Sequence, residues 1–170
     1  MKKDTALVVI WMQELRRTKK SDYHLRNMEA LVERAEYLLQ YAREMKYKII
    51  YVVHHEQEGP FSKQDSLSQI IWELIPQEGD TVIEKYRISS FLDTNLEAEL
   101  KGIQNIVVAG IPTNLCVRMF VEEAYDRGFN LVLIEDLCQT YNDKLQDFTL
   151  DDLNESRPEL DIVRLDQFLD

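Results

Sequence analysis

Six short apolar runs, rich in β-branched residues, recur along the chain and alternate with segments of helical periodicity. The runs cover residues 6–11, 48–53, 81–84, 105–109, 131–134 and 162–165. Most of them are apolar at consecutive positions, which is typical of strands that are covered on both faces. Because helical segments separate the runs, the pattern predicts an α/β fold in which parallel strands are joined by crossover helices.

The longest segment of helical period lies between the first two runs. Over residues 23–46, apolar side chains recur at steps of three and four residues, and Asp22 is placed to cap the first turn. This pattern predicts a long amphipathic helix with one face on the sheet. The sequence Thr-Asn-Leu-Glu at 94–97 has the form of a capping box and predicts a second, short helix that Gly102 closes.

Two further helical segments are predicted in the second half of the chain. Residues 115–127 have helical period and are followed by Gly128, which is suited to close a helix. The acidic stretch 143–159 is expected to form helix and loop at the surface. Since no repeat, low-complexity tract or linker interrupts the sequence, we expect a single domain over residues 1–170.

Charge and glycine content exclude several classes of function. The 170 residues include 20 Lys and Arg against 31 Asp and Glu, and the net charge of −11 argues against nucleic acid and anionic membranes as partners. The five glycines are too far apart for a dinucleotide or phosphate-binding loop, and we expect no cofactor. The longest apolar run is far shorter than the roughly 18 residues of a membrane-spanning helix. Two cysteines without a CxxC motif or an apolar leader indicate a reducing, cytoplasmic location.

Two reactive side chains follow strands predicted to end at one edge of the sheet, where the ligand crevice of an open parallel sheet lies. The run 105–109 enters a Gly-Ile-Pro turn, and Cys116 follows in the first turn of the next predicted helix, where the helix end lowers the pKa of a thiol. Lys85 follows the run 81–84 and can stabilise a thiolate or hold a substrate carbonyl. The alternatives are a buried, inert cysteine and a solvated lysine at a strand end.

Adjacent histidines, His54 and His55, follow the second predicted strand. Their side chains point to opposite faces of an extended chain, so the two cannot readily bind one ion. The chain has one other histidine, His24, and no HxxxH or CxxC spacing. We therefore expect no metal site.

Three segments, in order along the chain, carry a resemblance to a known family. They are a hydrophobic first strand that ends in Met-Gln, the stretch 79–91 around Lys85, and the stretch 109–117 around Cys116. Together they resemble the isochorismatase-like cysteine hydrolase superfamily, whose members include amidases and related carbon–nitrogen hydrolases. The resemblance implies a three-layer α/β/α fold around a six-stranded parallel sheet. It also implies an Asp-Lys-Cys triad, in which Lys85 and Cys116 match the second and third members.

The resemblance further implies a cis peptide bond in the turn before the cysteine, beside an oxyanion hole of backbone N–H groups. The cis bond maps onto Ile111-Pro112, where proline lowers the cost of the cis form. Ile111, Pro112 and Leu115 are the residues assigned to this turn and hole. The family also implies a homo-oligomer, either a dimer or a tetramer. A small molecule is the expected substrate, but neither its identity nor the number of subunits follows from the sequence.

The match departs from the family at one position of the triad. Where the family has its catalytic Asp, directly before Met-Gln, this chain has Trp11. An indole has one N–H donor and no acceptor, so Trp11 cannot take the thiol proton, and its bulk fills space where a small substrate would lie. In a hydrolase without this Asp, the helix end and Lys85 would form the thiolate, and the residues considered as an assisting substitute base are Glu14, His54 and His55. The remaining pocket candidates are Gln13 and Phe91.

Three functions remain open. The first is a cysteine hydrolase that acts on a small amide or related carbonyl compound through Cys116, with activity weakened by the incomplete triad. The second is a non-catalytic member of the family that keeps the fold for small-molecule binding or assembly. The third is a thiol sensor that uses Cys116 and Cys138. Only the presence of two cysteines favours it.

Overall fold

A six-stranded parallel sheet forms the centre of the molecule. The computed structural model describes residues 4–170. Its strands are β1 (Thr5–Ile10), β2 (Lys48–His54), β3 (Thr81–Lys85), β4 (Asn105–Gly110), β5 (Asn130–Cys138) and β6 (Leu160–Val163). They lie in the order β3-β2-β1-β4-β5-β6, and every neighbouring pair is parallel. The predicted α/β class and the six-stranded parallel sheet are confirmed.

Helices connect the strands and cover the sheet. They are α1 (Glu14–Arg17), α2 (Met28–Glu44), α3 (Leu96–Glu99), α4 (Arg118–Asp126), α5 (Asp143–Ser156) and α6 (Leu165–Leu169). Two short 3₁₀ turns at Ser66–Ser68 and Trp72–Leu74 lie between β2 and β3, and a π-helical turn at Thr113–Val117 precedes α4. Within residues 4–170, no helix has the length and apolar character needed to cross a membrane.

The core has two parts, one on each face of the sheet. Alternate residues of a strand point to opposite faces, and β1 shows this in full because all six of its residues are buried. Ala6, Val8 and Ile10 contribute to a cluster that includes buried side chains of α3, α4 and α5. Leu7 and Val9 contribute to a second cluster that includes the buried face of α2. Burial on both faces explains why β1 and β4 are apolar at consecutive positions.

The long helix α2 is shorter than the sequence pattern predicts. It begins at Met28 rather than near residue 23, and its N-cap is Asn27 rather than Asp22. Asn27 has a φ of 58°, in the left-handed region, which interrupts any helix that begins before it. Leu25 is nevertheless buried, and its N–H donates to the carbonyl of Arg16. The apolar period at the start of the predicted helix therefore reflects burial of a loop.

The two predicted helix starts at 94–97 and 115–127 also differ from the structure. At the first, Thr94 Oγ1 accepts from the N–H of Leu96 instead of closing a capping box, and α3 has a single turn. At the second, Cys116 lies in the π-helical turn Thr113–Val117, and regular α-helix begins at Arg118. The thiol is therefore not in the first turn of a regular α-helix.

The strand order reverses between β1 and β4, which is the point where open α/β sheets form their ligand crevice. Ile10 pairs with Gly110 at the carboxyl ends of these strands. Gly110 has a φ of 151°, and a Cβ at this position would lie well under 3.0 Å from the carbonyl oxygen of Ile10. Glycine is therefore required here, because it lets β4 turn toward Cys116 in close contact with the end of β1.

Candidate active site

A cysteine and a lysine form a hydrogen-bonded pair at the carboxyl edge of the sheet. Lys85 is the last residue of β3, and Cys116 lies in the turn between β4 and α4. The two atoms Lys85 Nζ and Cys116 Sγ are 3.2 Å apart, and Nζ also donates to the carbonyl of Arg87 at 2.7 Å. Both side chains are buried, with 0% of Lys85 and 2% of Cys116 exposed. The structure thus brings together the two residues that the sequence analysis selected.

Burial controls the protonation of this pair. It raises the pKa of the Cys116 thiol, an effect that the nearby Lys85 ammonium opposes. Burial likewise lowers the pKa of Lys85, against the opposing effect of the Cys116 thiolate. The expectation that a helix end lowers the thiol pKa is therefore wrong, because the sulfur is enclosed in a π-helical turn where desolvation outweighs the favourable charge. A thiolate at this position depends on proton transfer to a direct neighbour.

Trp11 lies where the family resemblance implies a carboxylate. Its φ of 51° is in the left-handed region, which is unusual for a bulky residue and indicates backbone strain. The indole ring is 7% exposed, and its centroid is 5.4 Å from Lys85 Nζ. Within residues 4–170, its Nε1–H has no hydrogen-bond partner. Trp11 therefore places a ring face, with no proton acceptor, beside the Cys-Lys pair.

Arg16, in α1, is a site residue that the sequence analysis missed. Its side chain is 1% exposed, and its guanidinium carbon lies 4.1 Å from the centroid of the Trp11 ring. Its Nη1 donates to the Tyr141 hydroxyl at 3.0 Å and is 3.4 Å from the Tyr23 carbonyl. No hydrophobic period or motif marks this position, since two of the rings around the guanidinium, Phe61 and Tyr141, come from distant parts of the chain. Arg16 is a second buried cation beside Trp11, in addition to Lys85.

The buried His54 ring packs against the Trp11 ring. The His54 and Trp11 ring centroids are 4.6 Å apart, and His54 Nε2 is 3.3 Å from a carboxylate oxygen of Glu56. Burial and the Lys85 ammonium lower the pKa of His54 to about 4. Its imidazole is therefore neutral near pH 7, with Nδ1 unpartnered among the residues that the structure describes. A pKa this low makes His54 a weak base.

His55 contacts Lys85 only through the backbone, since its N–H donates to the Lys85 carbonyl at 3.0 Å, and its side chain has other neighbours. Its Nδ1 is 3.1 Å from the Ser68 hydroxyl, and burial lowers its pKa. The side chains of His54 and His55 therefore have different neighbours, as expected for adjacent residues of a strand. In the part of the chain described, no group of three His, Cys, Asp or Glu side chains could hold a metal ion.

Three of the predicted pocket residues have structural contacts instead. The Gln13 side chain accepts from the backbone N–H of His54 at 2.8 Å and donates to its carbonyl at 3.1 Å, which ties the ends of β1 and β2 together. The Glu14 carboxylate accepts from the Trp72 N–H at 3.2 Å and lies 3.8 Å from Arg17, and no hydrogen bond or ion pair joins it to the Cys-Lys pair within residues 4–170. Phe91 stacks on Phe120 in the core, with ring centroids 5.6 Å apart. These three expectations are therefore not supported by the contacts.

The turn before Cys116 contains the Ile111–Pro112 bond in the cis form. The N–H of Ile111 donates to the carbonyl of Ile10 at 3.0 Å, and the N–H of Leu115 donates to the carbonyl of Pro112 at 3.2 Å. Proline has no N–H. The three residues assigned to the oxyanion hole therefore offer no unengaged backbone donor in this arrangement, and the cation of Lys85 is the donor that contacts the sulfur.

An open cavity of about 970 Å³ lies at the segments that follow β2 and β3, and neither Lys85 nor Cys116 lines it. It is lined by Glu56, Gln57, Glu58, Tyr86 and Arg87. Arg87 accepts a hydrogen bond from Lys85 through its carbonyl, and Glu56 contacts His54. The cavity therefore lies next to Lys85 and His54 through two of its lining residues.

The second cysteine lies outside this group. Cys138 is the last residue of β5, it is buried, and burial raises its pKa to about 12. Both Cys116 and Cys138 are free thiols. A thiol sensor needs an accessible cysteine of low pKa, so these surroundings argue against the sensor hypothesis.

Comparison with known proteins assigns this chain to a family. The Isochorismatase domain model matches residues 5–159, which is most of the chain. The chain belongs to the isochorismatase family of hydrolases. It is 33% identical over 114 residues to the secreted isochorismatase effector Isc1 of Verticillium dahliae, an alignment that covers 65% of this chain and 60% of the effector. It is 41% identical over 69 residues to the ureidoacrylate amidohydrolase RutB of Agrobacterium fabrum, covering 39% of this chain and 30% of that protein.

The family fold extends over the whole of the described structure. An isochorismatase family protein from Desulfovibrio vulgaris superposes with a TM-score of 0.91 and 20% identity, covering 98% of this chain and 96% of the other. At this identity the likeness shows the fold alone. The chain spans less than two thirds of the length of the curated relatives named above. The isochorismatase-like architecture is thus confirmed.

Proposed function

We propose that this isochorismatase-family chain is a cysteine hydrolase of small amides, in which Cys116 is the nucleophile and Lys85 accepts its proton. The observation that carries the proposal is the 3.2 Å contact between Lys85 Nζ and Cys116 Sγ at the switch point of the sheet. A nucleophile within hydrogen-bond reach of a base is the arrangement that covalent catalysis needs. The amidohydrolase activity named for the relative RutB supports an amide as the substrate class.

Lys85 is the best-placed proton acceptor because the other candidates fail on chemistry or position. Trp11 has no acceptor atom, the Glu14 carboxylate is engaged with the backbone of Trp72, and His54 has a pKa of about 4. The burial that lowers the pKa of Lys85 increases the fraction of neutral amine, which is the form that can take a proton. Its charge then stabilises the thiolate that it has produced.

The proposed reaction has two halves. The Cys116 proton moves to the Lys85 amine, and the thiolate attacks the amide carbon, so that a C–S bond forms and negative charge develops on the carbonyl oxygen. The Lys85 ammonium stabilises this oxyanion and then protonates the leaving nitrogen, the C–N bond breaks, and an acyl-thioester remains. Water attacks the thioester while Lys85 takes its proton, the C–S bond breaks, and the proton returns to the sulfur.

A second function, ligand binding without turnover, is favoured by one observation. The Cys116 and Trp11 side chains belong to the same core cluster, and both are buried, at 2% and 7% exposure. A substrate reaches the sulfur only if a side chain moves. In a binding protein, the ring would remain in place and the ligand would occupy the cavity that Glu56 and Arg87 line.

The other properties expected from the sequence stay predictions. The proposed reaction needs no cofactor, because the thiol, the amine and water supply each nucleophile and each proton. A homo-oligomer and a cytoplasmic location follow from the resemblance and the cysteine pattern. Size-exclusion chromatography with light scattering measures the first, and fractionation of the source cells measures the second.

Intact-mass spectrometry tests the proposal. The protein is incubated with small aliphatic and aromatic amides and their activated esters, and we expect an acyl adduct on Cys116 in the wild type and in Cys138→Ser. Cys116→Ala must lose both adduct and hydrolysis, and Lys85→Met must lose most of the rate, whereas Lys63→Met, at the surface, must keep it. Hydrolysis that survives Cys116→Ala would refute the nucleophile assignment. Ligand binding without any adduct would favour the binding protein.

A further inference from the structure

Arg16 is a buried cation without an acidic partner. Its guanidinium keeps its charge in proteins, its side chain is 1% exposed, and it forms no ion pair with any of the acidic side chains that the structure describes. Buried charges in proteins are normally paired. Arg16 contacts the Trp11, Tyr23, Phe61 and Tyr141 rings instead. The surroundings therefore favour an anion that is not part of the chain.

Unsatisfied polar atoms concentrate at the same place. Over residues 4–170, seven buried side-chain polar atoms lack a hydrogen-bond partner, and three of them are Trp11 Nε1, Arg16 Nε and His54 Nδ1. These three side chains form one cluster, since the Arg16 guanidinium carbon and the His54 ring centroid lie 4.1 Å and 4.6 Å from the Trp11 ring centroid. Because buried polar groups are nearly always hydrogen-bonded, this concentration indicates a ligand site.

We propose that Arg16 and the Trp11 indole N–H bind the carboxylate of the substrate, so that the substrate class is the half-amide of a small dicarboxylic acid. The inference rests on the proposed function for its amide group and on Arg16 for its carboxylate. Arg16 Nε–H and Trp11 Nε1–H are two unpartnered donors on side chains in contact, and a carboxylate has two oxygens that can accept from them, one of them from a planar guanidinium.

The third unsatisfied atom matches the amide end of the same molecule. His54 Nε2 lies 3.3 Å from the Glu56 carboxylate, which assigns the ring proton to Nε2 and leaves Nδ1 as an acceptor. An amide N–H is a donor to such an atom. The guanidinium carbon of Arg16 and the Nζ of Lys85 lie 4.1 Å and 5.4 Å from the Trp11 ring centroid, so they are at most 9.5 Å apart, the sum of the two. A short aliphatic half-amide can therefore reach both cations.

Two partly exposed tyrosines cover the guanidinium. Tyr23 is 36% exposed and Tyr141 is 46% exposed, whereas the Trp11 and Phe61 rings are buried. The Tyr141 hydroxyl is neutral, and it accepts one hydrogen bond from Arg16 Nη1 at 3.0 Å. A carboxylate can replace this contact when the Tyr141 side chain turns outward, since a hydrogen bond to a charged partner is stronger than a neutral one.

Fluorescence titration of a single-tryptophan protein tests this site. Trp72→Phe leaves Trp11 as the single tryptophan, because the chain has two, and Cys116→Ala in the same protein prevents turnover. The probes are succinamate, which has one carboxylate and one amide, and succinamide, which has two amides. We expect saturable binding of succinamate, with succinamide at least ten-fold weaker. We also expect Arg16→Gln to reduce the affinity for succinamate at least ten-fold and to leave that for succinamide unchanged.

Controls separate this proposal from its alternatives. Arg118→Gln removes an arginine that pairs with Glu122 at 3.3 Å outside the site, and it must leave both affinities unchanged. Equal binding of succinamate and succinamide by the protein with Arg16 intact would overturn the proposal, even if Arg16→Gln does not fold. Sulfate that competes as well as succinamate would also overturn it, because the site would then bind anions in general. Acylation of Cys116 by neutral amides alone would contradict this inference while supporting the proposed function. Tight succinamate binding without acylation of the wild type would support the carboxylate site and contradict the proposed hydrolase function.

Discussion

Replacing Trp11 by aspartate restores the carboxylate that the family resemblance implies and tests whether its loss limits the activity. The position is suited to the change, because Trp11 has a φ of 51° and aspartate adopts the left-handed region more readily than a bulky aromatic residue. The new carboxylate would lie beside Lys85 and Arg16, both within 5.4 Å of the present ring centroid. These cations would hold it in the ionised form that accepts a proton.

The expected gain follows from the role of a general base. A positioned base contributes about two to four orders of magnitude to rate, so Trp11→Asp should raise kcat/KM for a neutral amide by about a hundred-fold or more. The same change removes a buried indole, and truncation of a buried Trp costs about 3–5 kcal/mol of stability. Relief of the left-handed strain offsets about 1 kcal/mol of that loss. We therefore expect a more active protein that unfolds at lower denaturant concentration.

Trp11→Asn is the matched control. It opens the same space and tolerates the same backbone conformation, but its amide cannot act as a base. Steady-state hydrolysis of a neutral amide is measured for both variants, with urea unfolding to follow stability. The reasoning is refuted if Trp11→Asn gains as much activity as Trp11→Asp, because access rather than the base would then limit the rate. It is also refuted if neither variant gains activity.

Two further predictions concern stability. The pKa of His54 lies at about 4 in the folded protein against 6.5 for a free imidazole. As the pH falls, the unfolded chain therefore takes up the proton first, which destabilises the folded state. Between pH 6.5 and pH 4, the free energy of unfolding of the wild type should fall by about 3 kcal/mol more than that of His54→Gln. Parallel urea-derived curves for the two proteins would contradict this prediction. Gly110→Ala should cost about 3 kcal/mol or more, because its Cβ meets the Ile10 backbone. Gly128→Ala, whose Cβ meets nothing within 4 Å, should cost about 1 kcal/mol, and similar losses would show that the close contact is unimportant.

The sheet could be predicted from the sequence because its central strands are buried on both faces. Consecutive apolar residues in β1 and β4 have this origin. The prediction was less accurate where a strand leaves the core, as in β5, which continues to Cys138 while the apolar run ends at residue 134. Glu135 and Asp136 hide this extension, and Asp136 is retained there by Arg34 and Arg164, at 3.5 Å and 3.6 Å. Ion pairs between distant elements leave no period in the sequence.

The site was predictable in part for a similar reason. Lys85 and Cys116 follow strands, so topology alone places both at one edge of the sheet. Arg16 has no such signal, because its environment includes Phe61 and Tyr141, which are distant in sequence. The direction of the thiol pKa was also missed, since it depends on how deeply the sulfur is buried rather than on its distance from a helix start.

The pH dependence of Cys116 alkylation tests most directly whether Lys85 controls the thiolate. Iodoacetamide modification is followed by intact mass from pH 6 to pH 10 in a Cys138→Ser background, with Lys85→Met as the variant and Lys63→Met as the control. The nearby ammonium favours the thiolate and lowers the thiol pKa. Lys85→Met should therefore react at least about ten-fold more slowly at pH 8 and titrate at higher pH, while Lys63→Met matches the parent protein. Identical profiles for Lys85→Met and the parent protein would contradict the account.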